Sequence, residues 1–433
     1  MDSMVNQRTG EGTSPYYSMR EVRGGEEREF ELFSQLRHSL RALMSSTPRM
    51  AEQLDGIDID TLQTREDLAA IPVVRKSTLM QKQHDLRGAG GVVGEAVFGG
   101  FAPVTWGQVA RVYGSPGPIY ELDTNRPDYW RMAQALYAAG IRPSMLVHNC
   151  FSYHFTPAGN MLESGALALG CSVFPGGIGQ TELQVKTMLD LRPQAYTGTP
   201  SFLKIIIEKA EELGEKIGSL KHAVFTGEAF TPTMQAWFAE RGIEGYQCYG
   251  TADLGLIAYE TSARDGLVVA EDIILEVVRP GTNEAVAVGE VGEIVVTTLN
   301  PDYPLLRFGT GDMSMILSEA SPCGRTNLRI KGWMGRADQS IKIRGMFVHP
   351  EQVAELSKRL DGVVKARMVA SGKVGSDTLV LQLERAENAT DDWIAHAESV
   401  AREVVKLRTA IEVVAVGSLP NDGLVIQDSR DYE

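Results

Sequence analysis

The stretch from Pro304 to Gln352 decides how this chain is organised. It reads PLLRFGTGD over residues 304–312 and, after a turn-rich connector, GRADQSIKIRGMFVHPEQ over residues 335–352. Short apolar runs lead into glycine turns that are crowded with fixed charges. Lys342 and Arg344 alternate with two isoleucines, which predicts that both cations share one face of a short strand. The stretch is therefore expected to form a charged, bendable junction between two parts of the molecule.

Length, charge and cysteine content narrow the class of protein. The 433 residues exceed one ordinary core and suggest two or three domains. The formal net charge of −14 argues against a general nucleic-acid binder, because a phosphate backbone needs a basic face. Four cysteines without CxxC spacing predict no disulfide framework and a reducing cytoplasm. We find no signal peptide and no apolar run of membrane-spanning length, and so expect no membrane partner.

Upstream of the junction, short apolar runs alternate with helical patterns. Cys171–Phe174, His222–Thr226 and Gly245–Tyr249 each end at a glycine-containing turn. Helices are predicted between the runs, and one of them extends from about Arg126 to Gly140. This rhythm predicts an α/β sheet with parallel strands, in which ligands bind at the carboxyl ends of the strands.

After Asp253 the pattern changes to strands without intervening helices. Val268–Val278, Gly292–Leu299 and Leu305–Phe308 predict a β-rich subdomain. Beyond the junction, helices and strands alternate again and predict a small α+β domain. We therefore expect a mobile N-terminal arm over residues 1–28, a large α/β domain with a β-rich subdomain over residues 29–335, and a small C-terminal α+β domain over residues 336–433, after a hinge.

A second glycine-rich turn has a possible role in binding phosphate. The predicted strand Gln108–Tyr113 leads into Gly114-Ser-Pro-Gly-Pro118. A strand followed by such a turn could wrap a phosphate with backbone N–H groups. Prolines at positions 116 and 118 remove two of those donors, so a plain tight turn is the better interpretation of these residues alone.

Four motifs, taken in order, resemble those of the adenylate-forming enzymes. They are Gly227-Glu228, Tyr249-Gly-Thr-Ala-Asp253, Arg307-Phe-Gly-Thr-Gly-Asp312 and Gly335-Arg-Ala-Asp-Gln-Ser-Ile-Lys-Ile-Arg-Gly345. Within that superfamily the chain resembles the phenylacetate–coenzyme A ligases, through ELFSQLRHSLRAL near the N-terminus, the loop Asn149-Cys-Phe-Ser-Tyr-His-Phe-Thr, Gly198-Thr-Pro-Ser-Phe202 and Ser321-Pro-Cys-Gly-Arg325. The resemblance covers nearly all of residues 29–420. It implies an enzyme that activates a carboxylate with ATP as an acyl-adenylate and then passes the acyl group to a thiol.

The resemblance also implies roles for individual residues. Asp312 would accept hydrogen bonds from both ribose hydroxyls, Arg336 would lie near the ribose or phosphate, and Asp338 would be the hinge. Asp253 stands where the family has a magnesium-binding Glu, and its carboxylate still suits Mg²⁺ although its reach is shorter. The remaining nucleotide- and coenzyme A-binding positions are Gly227, Glu228, Ala229, Tyr249, Gly250, Thr251, Lys342 and Gly345. The acyl-pocket positions are Tyr153, Phe155 and Cys248.

Taken singly, these residues have simpler interpretations. Asp312 could cap a turn as readily as it could bind ribose. Lys342 could belong to a solvated strand face, and Tyr153 and Phe155 could be core residues. It is the joint order of the motifs that favours the functional interpretation.

The chain departs from the family at three places. The family's phosphate loop is a Ser/Thr/Gly run ending in Lys-Pro, whereas Gly114–Pro118 has one hydroxyl and no lysine. The family's C-terminal lysine, which supplies charge during adenylation, has no counterpart after Pro420, and the last lysine is Lys406. Of the family's zinc ligands only Cys323 remains, so no zinc is predicted.

Together these observations predict an ATP-dependent, AMP-forming acyl–coenzyme A ligase of the phenylacetate ligase type. It would act on an aryl or small hydrophobic acid in the cytoplasm, with ATP or AMP, Mg²⁺ and coenzyme A, and as a possible homodimer. Two of the departures affect the adenylation half-reaction. The alternatives are therefore a non-catalytic homologue that binds AMP, ATP or an acyl thioester, or an enzyme that performs only the thioester half-reaction.

Overall fold

The computed structural model describes residues 14–88, 97–115, 119–337, 339–344, 346–373, 377–385, 389–420 and 424–431. The chain divides into two units, one ending at Met334 and the other starting at Gly335. Among the residues described, no helix combines the length and the apolar character needed to cross a bilayer.

The first unit contains most of the regular structure. Its helices are α1 Gly25–Leu43, α2 Pro48–Gln53, α3 Lys76–Gly88, α4 Met132–Ala138, α5 Ala158–Ala168, α6 Thr181–Leu191, α7 Pro200–Glu212 and α8 Pro232–Glu240, with short 3₁₀ helices at Met19–Val22, Ile59–Thr61 and Asp67–Ala70. Its strands are β1 Val74–Arg75, β2 Val109–Ser115, β3 Ile119–Thr124, β4 Leu146–Asn149, β5 Ser172–Pro175, β6 Ala195–Gly198, β7 His222–Phe225, β8 Glu244–Thr251, β9 Gly255–Tyr259, β10 Leu267–Val269, β11 Ile273–Val278, β12 Gly292–Thr298, β13 Phe308–Ser314, β14 Ile316–Leu317 and β15 Arg329–Ile330.

The largest sheet carries the predicted α/β rhythm. Its nine strands follow the order β14-β15-β10-β9-β8-β7-β6-β4-β5. Strands β4 to β8 pair in parallel, and β9 then adds antiparallel to β8. Helices α7 and α8 begin on Thr199 and Thr231, whose hydroxyls accept a hydrogen bond from an N–H of the first turn, and each cap precedes a proline. The prediction of an α/β fold with parallel strands is confirmed.

A second sheet lies in the predicted β-rich region and has the order β1-β13-β12-β11. Every residue of β11 and β12 is buried, including Glu276 and Glu293. Strand β1 pairs in parallel with β13, joining Val74 to Phe308 across most of the unit. Strands β2 and β3 form a separate hairpin.

Three predicted element boundaries in this unit are wrong. The predicted helix from Arg126 starts only at Met132, because Asp128 and Arg131 have left-handed backbone angles (φ 48° and 63°) that a helix cannot contain. The predicted strand 268–278 is two strands, separated at Asp272, which also has a positive φ. The predicted strand Leu305–Phe308 instead begins at Phe308 and runs to Ser314.

Part of the predicted N-terminal arm packs against the body of the first unit. Glu21 and Arg325 form a buried ion pair with Nε and Oε2 2.8 Å apart. The hydroxyl of Tyr16 donates a hydrogen bond to the carbonyl oxygen of Cys323 at 3.2 Å. Residues 1–13 of the predicted arm lie outside the described residues.

The second unit is a small α+β fold with its own core. Its helices are α9 Pro350–Arg359 and α10 Asp391–Val405, and its strands are β16 Ile341–Ile343, β17 Met346–Val348, β18 Val363–Lys373, β19 Thr378–Arg385, β20 Ala410–Val414 and β21 Ile426–Asp431. The four longer strands form a sheet in the order β20-β19-β18-β21, and both helices bury apolar residues in the core that this sheet shares. Because β16 ends at Ile343 and Arg344 has a φ of 48°, the prediction that Lys342 and Arg344 share a strand face is wrong.

Candidate active site

The first acidic site is built on an irregularity in β13. Glu293 of β12 pairs with Met313, whereas Val295 pairs with Gly309, so three residues of β13 face one residue of β12. The extra residues are held by a hydrogen bond from the Thr310 hydroxyl to the Ile294 carbonyl oxygen at 3.0 Å. Such a bulge bends the strand and redirects a side chain. Here the bulge positions the side chain of Asp312.

Two neutral donors fix the Asp312 carboxylate. The Tyr249 hydroxyl donates to Oδ2 at 2.7 Å, and the Trp333 indole N–H donates to Oδ1 at 3.1 Å. Tyr249 comes from β8 of the nine-stranded sheet, so the carboxylate joins the two larger sheets of the first unit. A carboxylate accepts about four hydrogen bonds, and donors on both oxygens fix its plane. Asp312 is 9% exposed, which leaves it sheltered but open on one side.

A buried ion pair supports the start of this strand. Arg307 is completely buried, and its Nε and Nη2 atoms each lie 3.0 Å from an oxygen of Glu276. Its Nη1 atom donates to the carbonyl oxygen of Ile71 at 2.7 Å. Burial raises the pKa of Glu276, and the Arg307 charge opposes that effect. Although Arg307 belongs to a nucleotide-site motif, the structure makes it an interior support rather than a ligand-facing residue.

The second acidic site surrounds Asp253, just after β8. The Lys76 Nζ atom lies 3.2 Å from Oδ2 of Asp253, and Glu121 of β3 is fully buried beside that carboxylate. Burial raises the pKa of Glu121 well above its usual range, and the Asp253 charge raises it further. Burial also opposes ionisation of Asp253, but Lys76 and Glu121 together hold its pKa below the usual value. Neither Lys76 nor Glu121 belongs to a motif found in the sequence.

The remaining positions at the ends of β7 and β8 are brought close to each other by the sheet. Gly227 follows β7 with a φ of 87°, a conformation that favours glycine. Glu228 accepts a hydrogen bond from the Ser201 N–H at 2.6 Å, at the start of α7. A side chain on Gly250 would place its Cβ 2.5 Å from the Gly255 carbonyl oxygen, so only glycine fits there.

The other predicted residues of this edge differ in exposure. Ala229 and Thr251 are half-buried. Cys248 is buried, and burial raises the pKa of its thiol to about 12 despite a hydrogen bond from Thr226.

The two predicted aromatic walls of the acyl pocket lie in different surroundings. The Tyr153 hydroxyl donates to Glu163 Oε2 at 2.7 Å and accepts from the Asn149 amide at 2.7 Å. Tyr153 and His154 line a cavity of about 300 Å³ together with residues 175–178. Phe155 is 84% exposed with a φ of 62°, so the structure leaves it on the surface.

In the second unit, Arg336 and Lys342 both lie over the ring of Phe347. Their charged groups are 5.4 and 5.9 Å from the ring centroid, within the range of a cation–π contact. The predicted hinge Asp338 and Gly345, one of the predicted nucleotide- and coenzyme A-binding positions, lie outside the described residues. Residues 116–118 of the glycine-rich turn also lie outside the described residues, as do residues 421–423 of the turn that follows Pro420, here called the C-terminal turn.

The Pro420 end of the C-terminal turn is bound by two cations that the sequence did not indicate. The Lys365 Nζ atom donates to the Pro420 carbonyl oxygen at 2.8 Å, and Arg367 Nη2 donates to it at 3.1 Å. Both cations come from β18. The positive charge at this turn is thus supplied by a neighbouring strand.

Comparison with known proteins agrees with this arrangement. Residues 130–300 match the AMP-binding enzyme family. A phenylacetate-coenzyme A ligase of Thermus thermophilus is 34% identical over 349 residues, which cover 77% of this chain and 75% of that protein. A phenylacetate-coenzyme A ligase of Aromatoleum evansii is 30% identical over 367 residues, which cover 81% of this chain and 80% of that protein.

A solved structure extends the similarity to the fold of both units. The crystal structure of 2-hydroxyisobutyryl-CoA ligase in complex with 2-HIB-AMP and CoA matches with a TM-score of 0.79. The match covers 96% of this chain and 93% of that chain at 24% sequence identity. At that identity the likeness concerns the fold.

Proposed function

The chain belongs to the phenylacetate–coenzyme A ligase family, and from this premise we propose that it is an AMP-forming acyl–coenzyme A ligase. In the first half-reaction, a carboxylate oxygen attacks the α-phosphorus of ATP, and the bond to pyrophosphate breaks. In the second, the sulfur of coenzyme A loses its proton and attacks the acyl carbon, and the bond to AMP breaks. The substrate proposed is an aryl or small hydrophobic acid.

The geometry of Asp312 is the observation that carries this proposal. Its carboxylate is held by the Tyr249 hydroxyl and the Trp333 indole, so its orientation is set before any ligand binds. A fixed, partly sheltered carboxylate suits the two adjacent hydroxyls of a ribose, because hydrogen bonds to a charged acceptor are the stronger ones. Preorganisation of this kind lowers the entropy that binding would otherwise cost.

The surroundings of Asp253 fit a magnesium ion. Within the described part of the chain, its Oδ1 atom is buried without a hydrogen-bond partner, and a carboxylate oxygen is the ligand that Mg²⁺ prefers. When bound, Mg²⁺ would neutralise phosphate charge as pyrophosphate leaves. The protein's own part is to hold Asp253 ionised, which Lys76 does from 3.2 Å.

For the other positions we propose the roles that the family resemblance implies. We assign the adenine and acyl contacts to Gly227, Glu228 and Ala229, and the strand end beneath the nucleotide to Gly250 and Thr251. The acyl group would lie against Tyr153, Phe155 and Cys248. Arg336 and Lys342 would serve the nucleotide, Asp338 the hinge, and Gly345 the passage for the thiol arm.

The cellular setting and the assembly also form part of the proposal. The cysteines in the structure are all free thiols, which agrees with a reducing cytoplasm. A homodimer is the assembly to test, and light scattering coupled to size-exclusion chromatography would measure it.

Acid-dependent pyrophosphate exchange is the direct test of this function. The full chain is supplied with ATP, Mg²⁺ and a panel of carboxylic acids, and exchange is expected with an aryl or small hydrophobic acid. A parallel assay supplies the preformed acyl-adenylate and coenzyme A. Thioester formation without exchange would support the half-reaction alternative, and neither activity despite AMP binding would support the non-catalytic one. The similarity to named ligases favours both activities.

A further inference from the structure

Glu121 is the least satisfied charged side chain around the second acidic site. It lies on β3, is 0% exposed, and neither of its carboxyl oxygens has a hydrogen-bond partner of normal geometry among the described residues. Its charged neighbours are Asp253 and Lys76. A buried carboxyl group without partners is costly, because its desolvation is not compensated by the protein.

The imbalance extends beyond Glu121. The Oδ1 atom of Asp253 and the hydroxyl of Tyr303 are also buried without a hydrogen-bond partner, as far as the structure describes the chain. Burial raises the pKa of Tyr303, and the nearby charges of Glu121 and Asp253 raise it further. The cation beside the two acids is Lys76, whose side chain is 43% exposed and whose Nζ atom lies 3.2 Å from Oδ2 of Asp253. Among the described residues, both carboxyl oxygens of Glu121 and the Oδ1 atom of Asp253 therefore lack a hydrogen-bond donor.

We propose that Glu121 is a second carboxylate ligand, beside Asp253, for the divalent cation of the ligase reaction. This inference rests on the proposed function and names a ligand that the motifs do not contain. Aspartate at position 253 is shorter than glutamate, and a second carboxylate compensates for its shorter reach. Two carboxylates with the remaining positions filled by water and phosphate oxygens suit Mg²⁺, which keeps several waters.

Other features of the site agree with an open, shared coordination shell. The described residues contain no cluster of three or more His, Cys, Asp or Glu side chains arranged to hold a metal by themselves. A cation at this place would therefore complete its shell with water in the free protein and with phosphate oxygens when nucleotide is bound. Lys76 stands at the exposed side of Asp253 and acts as a competitor that a divalent cation displaces.

The alternative to a cation is a proton shared by the two carboxyl groups. Adjacent buried carboxyl groups cannot both ionise without a compensating charge. A shared proton would satisfy the pair without any metal, and the two explanations differ in whether the free protein binds a cation at this place.

Manganese titration of the full chain without nucleotide separates the two explanations. Free Mn²⁺ is measured by electron paramagnetic resonance, and the wild-type protein is expected to bind one ion. Glu121→Gln should weaken that binding by at least about tenfold, because even the loss of an outer-shell partner costs about 10–100-fold. The matched control is Asp123→Asn, two residues along the same strand, whose buried carboxylate accepts a hydrogen bond from Tyr113 at 2.6 Å. It should leave Mn²⁺ affinity unchanged.

A second variant keeps the test decisive if Glu121→Gln does not fold. Lys76→Met removes the competing cation and should tighten Mn²⁺ binding. The inference is overturned by wild-type protein that binds no Mn²⁺, by Glu121→Gln with wild-type affinity, or by Lys76→Met with unchanged affinity. If one of these results is found while the wild-type protein still catalyses pyrophosphate exchange, the role of Glu121 is rejected and the ligase function stands. If the Mn²⁺ results are as expected but the wild-type protein catalyses no exchange, the ligase function is rejected and the cation site stands.

Discussion

Asp312 and Asp253 are two buried acids of the same unit that are satisfied in opposite ways. Asp312 receives hydrogen bonds from a phenol and an indole, both of them neutral. Asp253 faces a lysine on one side and a second buried acid on the other. Neutral donors orient a carboxylate for a neutral diol, whereas unmatched buried charge calls for a cation. The type of neighbour, more than the acid itself, therefore defines what each site binds.

The largest effect is expected from the support beneath the Asp312 strand. Arg307→Met leaves Glu276 buried without its partner and should reduce the free energy of unfolding by about 3–5 kcal/mol. Chemical denaturation measures the loss. The matched control is Arg279→Met, which breaks the exposed pair with Glu290 and should cost about 0–1 kcal/mol. Equal losses in the free energy of unfolding for the two variants would show that the strand carrying Asp312 does not depend on the Arg307–Glu276 pair.

The next largest effect concerns nucleotide binding at Asp312. Asp312→Ala removes charge-assisted hydrogen bonds to ribose and should weaken AMP binding by about 1.5–3 kcal/mol. Isothermal calorimetry measures the change, with the exposed Asp55→Ala as a control for net charge. Unchanged AMP affinity in Asp312→Ala would move the nucleotide to another part of the chain.

A smaller effect tests whether the neutral donors orient the carboxylate. Tyr249→Phe removes one hydrogen bond to Asp312 and should weaken AMP binding by about 0.5–1.5 kcal/mol, less than the loss of the carboxylate itself. The same calorimetric assay applies, and Trp333→Phe should act in the same direction. Tighter AMP binding in Tyr249→Phe would mean that the phenol competes with the ribose instead of preparing its site.

The smallest expected effect concerns the reactivity of two cysteines whose neighbours differ. Burial opposes the Cys323 thiolate, but hydrogen bonds from Ser321, Thr261 and Arg325 lower the pKa of this thiol to about 7. Burial raises the pKa of Cys150 to about 12. Alkylation by iodoacetamide near neutral pH should therefore modify Cys323 first, with a rate that rises through about pH 7 as the thiolate forms.

Mass spectrometry of the alkylated protein identifies the modified thiol. Cys323→Ser should abolish the fast phase and leave the slow one. Equal labelling of Cys150 and Cys323 at pH 7 would show that the hydrogen bonds to Cys323 do not outweigh the effect of burial on its pKa.

The sequence predicts the order and type of the helices and strands better than the residues at which they begin and end. Apolar runs that end in glycine turns are a local signal, and they predicted the parallel strands around β7 and β8 correctly. The helix expected from Arg126 fails in its first six residues because the left-handed angles of Asp128 and Arg131 have no signature in residue type. Asp128 lies before the shorter helix and binds its first turn, since both its oxygens accept from the Ala133 N–H.

The two acidic sites differ in how much of them can be found from sequence. Motif order pointed to Asp312, Tyr249 and Asp253 as a group. It could not pair Tyr249 with Asp312, which are 63 residues apart, or Lys76 with Asp253, which are 177 residues apart. Trp333 and Glu121 carry no local pattern at all, because their importance arises only when strands from distant parts of the chain meet.

The pairing of β1 with β13 has a consequence for the synthesis of the protein. Val74 leaves the ribosome early, yet its partner Phe308 emerges only when most of the first unit has been made. Contacts so distant in sequence form late, since loop closure must precede them. Lys76, directly after β1, and the Asp312 bulge in β13 are therefore expected to reach their final places together, after most of the first unit has been made. Until then a nascent chain lacks the Asp312 carboxylate in its final place, so a nucleotide bound there cannot assist early folding.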